Sequence, residues 1–244
     1  MKSSIDKILK YRKAYYSQHG EDGILEYMLE KLPEKTGWCA EFGAWDGKTY
    51  SNTYHFISLY NFNGVMIEGN DNLFPVLQNN MSSYSNCILI NKMVSISGDN
   101  CLDNILKETK IPVNFDLLSI DIDGDDYHVW KSLNDYLPSI VVIEINWLDK
   151  PEVIRVTHPD TPKIVIKDDT YEGLWGEGAS LLSMTILAEE KGYNLVAHIG
   201  TNAIFVQKQY LKLFHEDKVS VNDVFSYEGF ELYDFFKELQ KNKR

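Results

Sequence analysis

Four carboxylates are crowded into six consecutive positions near the middle of the sequence. Asp121, Asp123, Asp125 and Asp126 occupy the run Asp-Ile-Asp-Gly-Asp-Asp, which follows the apolar stretch Leu-Leu-Ser-Ile. Carboxylates at this spacing repel one another, so they draw in a cation, shift their pKa values or turn toward solvent. Asp121 and Asp123 stand two residues apart at a predicted strand end, where they can act as metal ligands or as acid and base.

Two further oxygen ligands end the next predicted strand. Glu144 and Asn146 lie in the sequence Ile-Glu-Ile-Asn. Because neighbouring parallel strands end at one edge of a sheet, these two side chains can converge with Asp121 and Asp123. Such a set of oxygen ligands suits magnesium or another divalent cation. His128 follows the carboxylate cluster and is the best histidine candidate for a catalytic base.

Other interpretations of the cluster are open or can be excluded. An EF-hand loop needs glycine at its sixth position and glutamate at its twelfth, where this sequence has Asp126 and Ser132. The run Asp-x-Asp-Gly is similar to that of haloacid-dehalogenase-type phosphotransferases, with Asp121 as nucleophile and Asp123 as acid or base. That family places the motif after its first strand, whereas here it follows the fourth. Asp125 and Asp126 are expected to cap the next helix.

A glycine-containing turn follows the first predicted strand, in the run Glu-Phe-Gly-Ala-Trp-Asp-Gly at residues 41–47. Ligands of doubly wound sheets bind at such strand ends, where glycine allows close approach of the backbone. The spacing differs from the Gly-x-Gly-x-x-Gly of dinucleotide enzymes, which bind a pyrophosphate. S-adenosylmethionine has no phosphate and needs a carboxylate instead, which Glu41 can supply. A turn that only tightens the strand-helix connection is the alternative.

The second predicted strand ends in another acidic residue followed by glycine. Glu68 and Gly69 stand in the run Ile-Glu-Gly, and a carboxylate there can accept both hydroxyls of a ribose. The polar stretch 17–23, which contains Gln18 and Asp22, precedes the first predicted helix. It is either capping chemistry at Asp22 or a clamp over the methionine end of the cofactor.

Alternating strands and helices position these residues. Short apolar runs rich in β-branched or aromatic residues predict strands at 38–42, 64–68, 87–90, 115–120 and 140–145. Helices are predicted at 22–32, 52–60, 72–81, 100–107, 127–134 and 179–191. This order indicates parallel strand-helix-strand units in a doubly wound α/β sheet. Strands 193–198 and 203–206, joined by a turn at 200–202, add an antiparallel hairpin, which matches the class I methyltransferase sheet.

We expect one domain over residues 1–244, with three accessory segments. Residues 1–36 form an N-terminal helical cap, 147–177 an acceptor or lid insertion, and 208–244 a C-terminal helical tail. Loops as long as the insertion commonly bind ligands. Its rings and carboxylates predict an acceptor surface made of Trp147, Asp168, Asp169, Tyr171 and Trp175.

Composition restricts the class of protein. The sequence carries 24 basic and 36 acidic residues, a net charge of -12, which disfavours nucleic acid and anionic membranes as partners. Its three cysteines, Cys39, Cys87 and Cys101, form neither a disulfide framework nor a zinc motif. No apolar run is long enough for a membrane span, and the N-terminus lacks a signal-peptide core. These features predict a cytoplasmic protein.

Six short stretches together resemble the FkbM-like branch of S-adenosylmethionine-dependent methyltransferases. They are residues 17–22, 41–47, 51–53, 67–69, 117–124 and 144–146. The resemblance implies a class I fold, with Glu41, Gly43 and Glu68 around the cofactor and Asp121 near the transferred methyl. The full predicted cofactor set is Gln18, Glu41, Gly43, Ala44, Asp46, Ser51, Asn52, Glu68, Gly69 and Asp121.

The family's usual reaction is O-methylation of a sugar or a polyketide-type alcohol. The acceptor is therefore expected to be a glycan precursor or related small metabolite, and a homodimer is possible. This sequence departs from the family pattern in two ways. Its extra acidic residues after strand four indicate a metal, and its first motif lacks the usual third glycine, with Trp45 inside the turn. The alternatives are a phosphotransferase with Asp121 as nucleophile and a non-catalytic binding module of the same fold.

Overall fold

The computed structural model describes residues 7–122, 124–159 and 178–226, and a seven-stranded sheet runs through this part of the chain. The strands are β1 (Trp38–Phe42), β2 (Asn63–Ile67), β3 (Cys87–Ile90), β4 (Leu117–Ile120), β5 (Ile140–Glu144), β6 (Tyr193–Ile199) and β7 (Asn202–Gln207). Their order is β3-β2-β1-β4-β5-β7-β6. Strands β1 to β5 are parallel, and β7 lies antiparallel between β5 and β6. The predicted α/β sheet, mostly parallel with a C-terminal antiparallel hairpin, is confirmed.

Helices connect the strands at the predicted places, with ends that differ by at most two residues. They are α1 (Glu21–Lys31), α2 (Tyr54–Leu59), α3 (Phe74–Met81), α4 (Leu102–Lys107), α5 (Asp126–Ser132), α6 (Leu181–Glu190) and α7 (Val221–Val224). The predicted C-terminal helical tail differs in its described part, which holds a 3-10 helix (Lys208–Leu213) and the short α7. Residues 227–244 lie outside the described residues. No helix in the described ranges has the length and apolar character that a bilayer span requires.

Both faces of the sheet are buried. Because side chains alternate along each strand, successive residues pack into different apolar clusters. Val141 and Ile143 of β5 face one apolar cluster, and Ile140 and Val142 face the other. Such continuous apolar runs are typical of parallel strands covered by helices on both sides. The core therefore fixes the strand ends, and with them the edge at which the predicted functional residues meet.

The N-terminal segment before α1 is joined to the turn between β6 and β7. Glu21 accepts hydrogen bonds from the backbone amide of His19 and from Nδ2 of Asn202, each at 2.8 Å. The His19 ring lies 3.3 Å from Oγ1 of Thr201. A side chain on Gly200 would overlap the His19 ring, so this turn has room for glycine only. The predicted turn 200–202 is shorter in the structure, since Asn202 already pairs with Ile199 in the hairpin.

Candidate active site

A cavity of about 770 Å³ opens at the carboxyl ends of β1, β2 and β4, beside the point where the strand order reverses. Ligands of doubly wound sheets bind at this point of the fold. Eight of the ten predicted cofactor residues line it, namely Gln18, Glu41, Gly43, Ala44, Ser51, Glu68, Gly69 and Asp121. Asp46 and Asn52 are not among its lining residues. The structure thus brings together most of a site that the sequence spreads over more than a hundred positions.

Glu41 holds the beginning of α2 through its buried carboxylate. Oε1 accepts the backbone amide of Asn52 at 2.9 Å. Oε2 accepts the hydroxyls of Ser51 and Thr53 at 2.5 and 2.7 Å. Ser51 in turn accepts the amides of Thr53 and Tyr54 at 3.2 and 2.9 Å. In dinucleotide enzymes, the amides at the start of the corresponding helix bind a phosphate. In this chain, oxygen atoms of Glu41 and Ser51 accept the amides at that place instead.

Glu41 also predicts a pH effect on stability. Burial raises the pKa of its carboxyl group, although hydrogen bonds from Ser51, Thr53 and Asn52 oppose the rise. A group with a raised pKa in the folded state favours folding in its protonated form, and this contribution is lost as the pH rises through the folded pKa. The wild type should therefore lose stability relative to Glu41→Gln as the pH increases, in urea titrations at several pH values. A wild type that gains stability relative to Glu41→Gln as the pH rises would contradict this assignment.

Glu68 connects the turns that follow β1 and β2. Its Oε2 accepts the amide of Trp45 at 2.8 Å, and its Oε1 accepts the amide of Asn70 at 2.7 Å. Each carboxylate oxygen can accept more than one hydrogen bond, so Glu68 keeps capacity for hydroxyls of a ligand in the cavity. Glu68 is buried, and it is also one of the residues that line the cavity.

The glycines in the turns after β1 and β2 are required by neighbouring protein atoms. Gly43 has a φ of 74°, and a side chain there would overlap the backbone carbonyl of Asp121. A Cβ atom on Gly69 would lie 2.9 Å from Cα of Met93. Glycine at these positions therefore has a second reason besides the close approach of a ligand that the sequence predicts. Adjacent strand ends approach each other so closely that only glycine fits between them.

Asp46 and Asn52 stabilise the cavity wall from outside the lining. The Asp46 carboxylate accepts the amides of Lys48 and Thr49 at 2.9 and 2.7 Å, and also the Thr49 hydroxyl at 2.7 Å. Asn52 donates from Nδ2 to Oγ of Ser119 at 3.1 Å. The structure thus gives both residues supporting contacts, and the cofactor contacts predicted for them stay a prediction.

The carboxylate cluster divides into two kinds of residue. Asp121 and Asp125 line the cavity, whereas Asp123 lies outside the described residues. Asp126 is 2% exposed and accepts the amides of Ile122 and Gly124 at 2.8 and 2.9 Å. The prediction that Asp125 and Asp126 cap α5 needs correction. Asp125 occupies the N-cap position without a side-chain capping bond, and Asp126 binds amides that precede the helix.

The predicted metal ligands are not assembled in the described part of the chain. No group of three His, Cys, Asp or Glu side chains there is arranged to hold an ion. Strand pairing matches Ile120 with Ile143, so Asp121 and Glu144 do follow at the same level on adjacent strands. Glu144 and Asn146 nevertheless do not line the cavity, and Oδ1 of Asn146 accepts the amide of Leu148 at 3.1 Å.

His128 does not line the cavity either. Its Nε2 lies 2.8 Å from the backbone carbonyl oxygen of Thr157. A carbonyl only accepts hydrogen bonds, so this nitrogen carries the hydrogen and is not available to remove a proton. The other ring nitrogen, Nδ1, is then the one that can accept a proton, and the catalytic role predicted for His128 stays a prediction. In the predicted acceptor surface, Trp147 packs against the core, while Asp168, Asp169, Tyr171 and Trp175 lie outside the described residues.

Several lining residues were not among the site residues predicted from the sequence. They are Trp45, Thr49, Tyr50, Leu73, Asn70, Lys92, Met93, Val94 and Ile122. Lys92, Met93 and Val94 follow the end of β3, which lies at the same edge as the ends of β1 and β2. These three residues could have been predicted, because the carboxyl ends of parallel strands lie at the same edge of a sheet. The ammonium group of Lys92 is paired with both carboxylate oxygens of Glu108, at 2.6 and 2.7 Å.

No family model matches the sequence, and no curated protein matches it. Solved structures similar to the chain include the N-terminal domain of EvdMO1 in the presence of SAH and D-fucose. It is 11% identical with a TM-score of 0.48, and the match covers 84% of this chain and 94% of that one. The CMeT domain of the citrinin polyketide synthase is 12% identical with a TM-score of 0.47, covering 76% of this chain and 50% of that one.

An O-methyltransferase from Bacillus cereus in complex with SAH is 12% identical with a TM-score of 0.40, over 60% of this chain and 67% of that one. The chain thus spans only half of the citrinin structure but nearly all of the EvdMO1 domain. The resemblance to the FkbM-like branch stays a prediction, because no family model matches. The strand order and the antiparallel hairpin give the chain the Rossmann-like fold of class I methyltransferases.

Proposed function

We propose that the protein is an S-adenosylmethionine-dependent methyltransferase that acts on a hydroxyl of a sugar, glycan precursor or related small metabolite. One observation carries this proposal. The cavity at the switch point of the sheet is lined by four carboxylates, from Glu41, Glu68, Asp121 and Asp125. A cofactor with a cationic centre and no phosphate suits such a lining.

A dinucleotide fits the same cavity poorly. Its pyrophosphate would need free amides at the start of a helix, whereas the amides of Asn52, Thr53 and Tyr54, which lead into α2, are bound by Glu41 and Ser51. Negative phosphates would also be repelled by the lining carboxylates. The same repulsion opposes a phosphotransferase reaction at Asp121.

The described residues fit the parts of S-adenosylmethionine. Glu68 would accept the ribose hydroxyls, since its fixed carboxylate faces the cavity and retains acceptor capacity. Leu73, Met93, Val94 and Ile122 give the cavity an apolar section that suits a nucleobase. Gln18 would contact the methionine part, because the N-terminal segment brings it to the cavity.

The cofactor supplies a methyl group that is already activated for transfer. The protein must then align the acceptor oxygen and remove its proton. Asp121 is the carboxylate proposed for this role, since it lies at the end of β4 in the cavity lining. In the metal-assisted version of this step, a divalent cation held by Asp121 would lower the pKa of the hydroxyl. The described residues do not assemble a set of ligands for such an ion, so Asp121 itself is assigned the role of base.

Calorimetry with S-adenosylhomocysteine, with and without magnesium, tests the proposal. We expect binding by the wild type and a loss of about tenfold or more in Glu68→Gln. The NH2 group of glutamine would remove one acceptor from the ribose contact and could not accept the backbone amide of Trp45 or Asn70 that it would face. Glu34→Gln, at an exposed position outside the cavity, is the matched control and should bind normally.

Three outcomes would contradict parts of the proposal. Wild-type protein that fails to bind S-adenosylhomocysteine would favour a binding module of the same fold. A phosphorylated aspartate trapped at Asp121 would favour the phosphotransferase. Turnover that resists chelation would exclude the metal-assisted version and leave Asp121 as the base.

A further inference from the structure

Two aromatic rings stand exposed on the wall of the cavity. Trp45 is 43% exposed and Tyr50 is 56% exposed, and both residues line the cavity. Their ring centroids are 6.1 Å apart, and the ring planes are inclined by 32°. Aromatic rings exposed in the wall of a cavity are available to contact a ligand. We call these two rings the aromatic pair.

The backbone holds the aromatic pair in place before any ligand binds. Trp45 and Tyr50 have φ angles of 47° and 59°, in the left-handed region that bulky residues rarely adopt. The Trp45 amide is fixed by Glu68, and Tyr50 bridges to Ser17 of the N-terminal segment. Between them, Asp46 binds the amides of residues 48 and 49. The rings are therefore presented by a fixed loop.

Among the described residues that line the cavity with the aromatic pair, carboxylates outnumber ammonium groups. The lining contains the carboxylates of Glu41, Glu68, Asp121 and Asp125 and the single ammonium group of Lys92, which is paired with Glu108. Burial raises the pKa of Glu41, so its charge counts least. The other three carboxylates still exceed the one lysine. A cation is attracted into such a cavity, and an anion is repelled.

We propose that the aromatic pair is an acceptor subsite for a cationic nitrogen, so that the acceptor is an alcohol that also carries an ammonium group. This inference rests on the proposed methyltransferase function. Ring faces of Trp and Tyr attract cations through their quadrupoles, and nearby carboxylates add to that attraction. The same charges exclude acceptors activated as nucleoside diphosphates, whose phosphates are anionic.

Saturation-transfer NMR with choline tests the subsite. The matched probe is neohexyl alcohol, in which a carbon atom replaces the choline nitrogen and removes only the charge. In the wild type, with and without S-adenosylhomocysteine, choline should bind about two- to fivefold more tightly than neohexyl alcohol. Trp45→Leu and Tyr50→Leu should lose this difference, whereas Tyr50→Phe should keep it because the ring remains. Thermal unfolding of each variant checks that the fold is intact.

The possible results separate this inference from the function on which it rests. Equal binding of the two probes, no choline binding, or a preference that survives both leucine variants would overturn the subsite. The subsite would also be overturned if the wild type binds S-adenosylmethionine more tightly than S-adenosylhomocysteine, which lacks the sulfonium charge, and a leucine variant does not. The rings would then serve the cofactor. Failure of the wild type to bind S-adenosylhomocysteine would overturn the methyltransferase proposal, while the choline comparison without it would still report on the subsite.

Discussion

Replacing Gly43 with alanine is expected to lower the free energy of unfolding by about 4 kcal/mol or more, or to prevent folding. Two effects add at this position. The backbone has a φ of 74°, which costs alanine about 1 kcal/mol. The new methyl group would also overlap the Asp121 carbonyl, and a backbone atom between paired strands cannot move aside without breaking the sheet. Urea unfolding followed by circular dichroism measures the loss.

Gly98 provides the matched control for Gly43. Its φ of 80° is similar, but no heavy atom lies within 4 Å of the position that a Cβ atom would occupy. Gly98→Ala should therefore cost only the backbone term of about 1 kcal/mol. Equal losses in the two variants would mean that the contact with Asp121 contributes nothing.

Replacing Asp22 with alanine is expected to cost about 3 kcal/mol and to weaken cofactor binding. Its Oδ2 accepts the amides of Tyr15, Tyr16 and Ser17 at 2.8, 2.6 and 2.8 Å. Removal of the carboxylate leaves these amides without their acceptor and releases the segment that brings Gln18 to the cavity. Urea unfolding and calorimetry with S-adenosylhomocysteine measure the two effects.

Asp22→Asn separates geometry from charge at this position. The amide oxygen of asparagine can take the place of Oδ2 and accept the same three amides, while its NH2 group takes the place of Oδ1, which has no hydrogen-bond partner among the described residues. We therefore expect a loss of about 1 kcal/mol, well below that of the alanine variant. Alanine and asparagine variants of equal stability would show that the hydrogen bonds to Oδ2 are unimportant.

Much of the fold could be predicted from the sequence because apolar runs set the strands. β1 and β3 begin and end at the predicted residues, and the hairpin of β6 and β7 closes the sheet as expected. The start of α2 differs, since residues 52 and 53 were predicted as helix. Their amide and hydroxyl groups bind Glu41 instead, a contact between positions that local periodicity does not relate.

The candidate site was only partly predictable for the same reason. Eight of its predicted cofactor residues line the cavity, because strand ends meet at one edge. What the sequence does not reveal is which carboxylates face a ligand and which bind backbone amides. Asp126 appears in the sequence as one more member of the acidic cluster, yet it is buried and holds the loop after β4. Only the folded backbone distinguishes it from Asp125.

The contact between the N-terminal segment and the β6-β7 turn affects when the binding site is completed during synthesis. His19 and Glu21 are held by Thr201 and Asn202, more than 180 positions later in the chain. A chain emerging from the ribosome can pair β1 with β2 early, but the segment that carries Gln18 lacks its contacts with Thr201 and Asn202 until the hairpin is made. Cofactor affinity should therefore appear late in synthesis, after the sheet itself has begun to form.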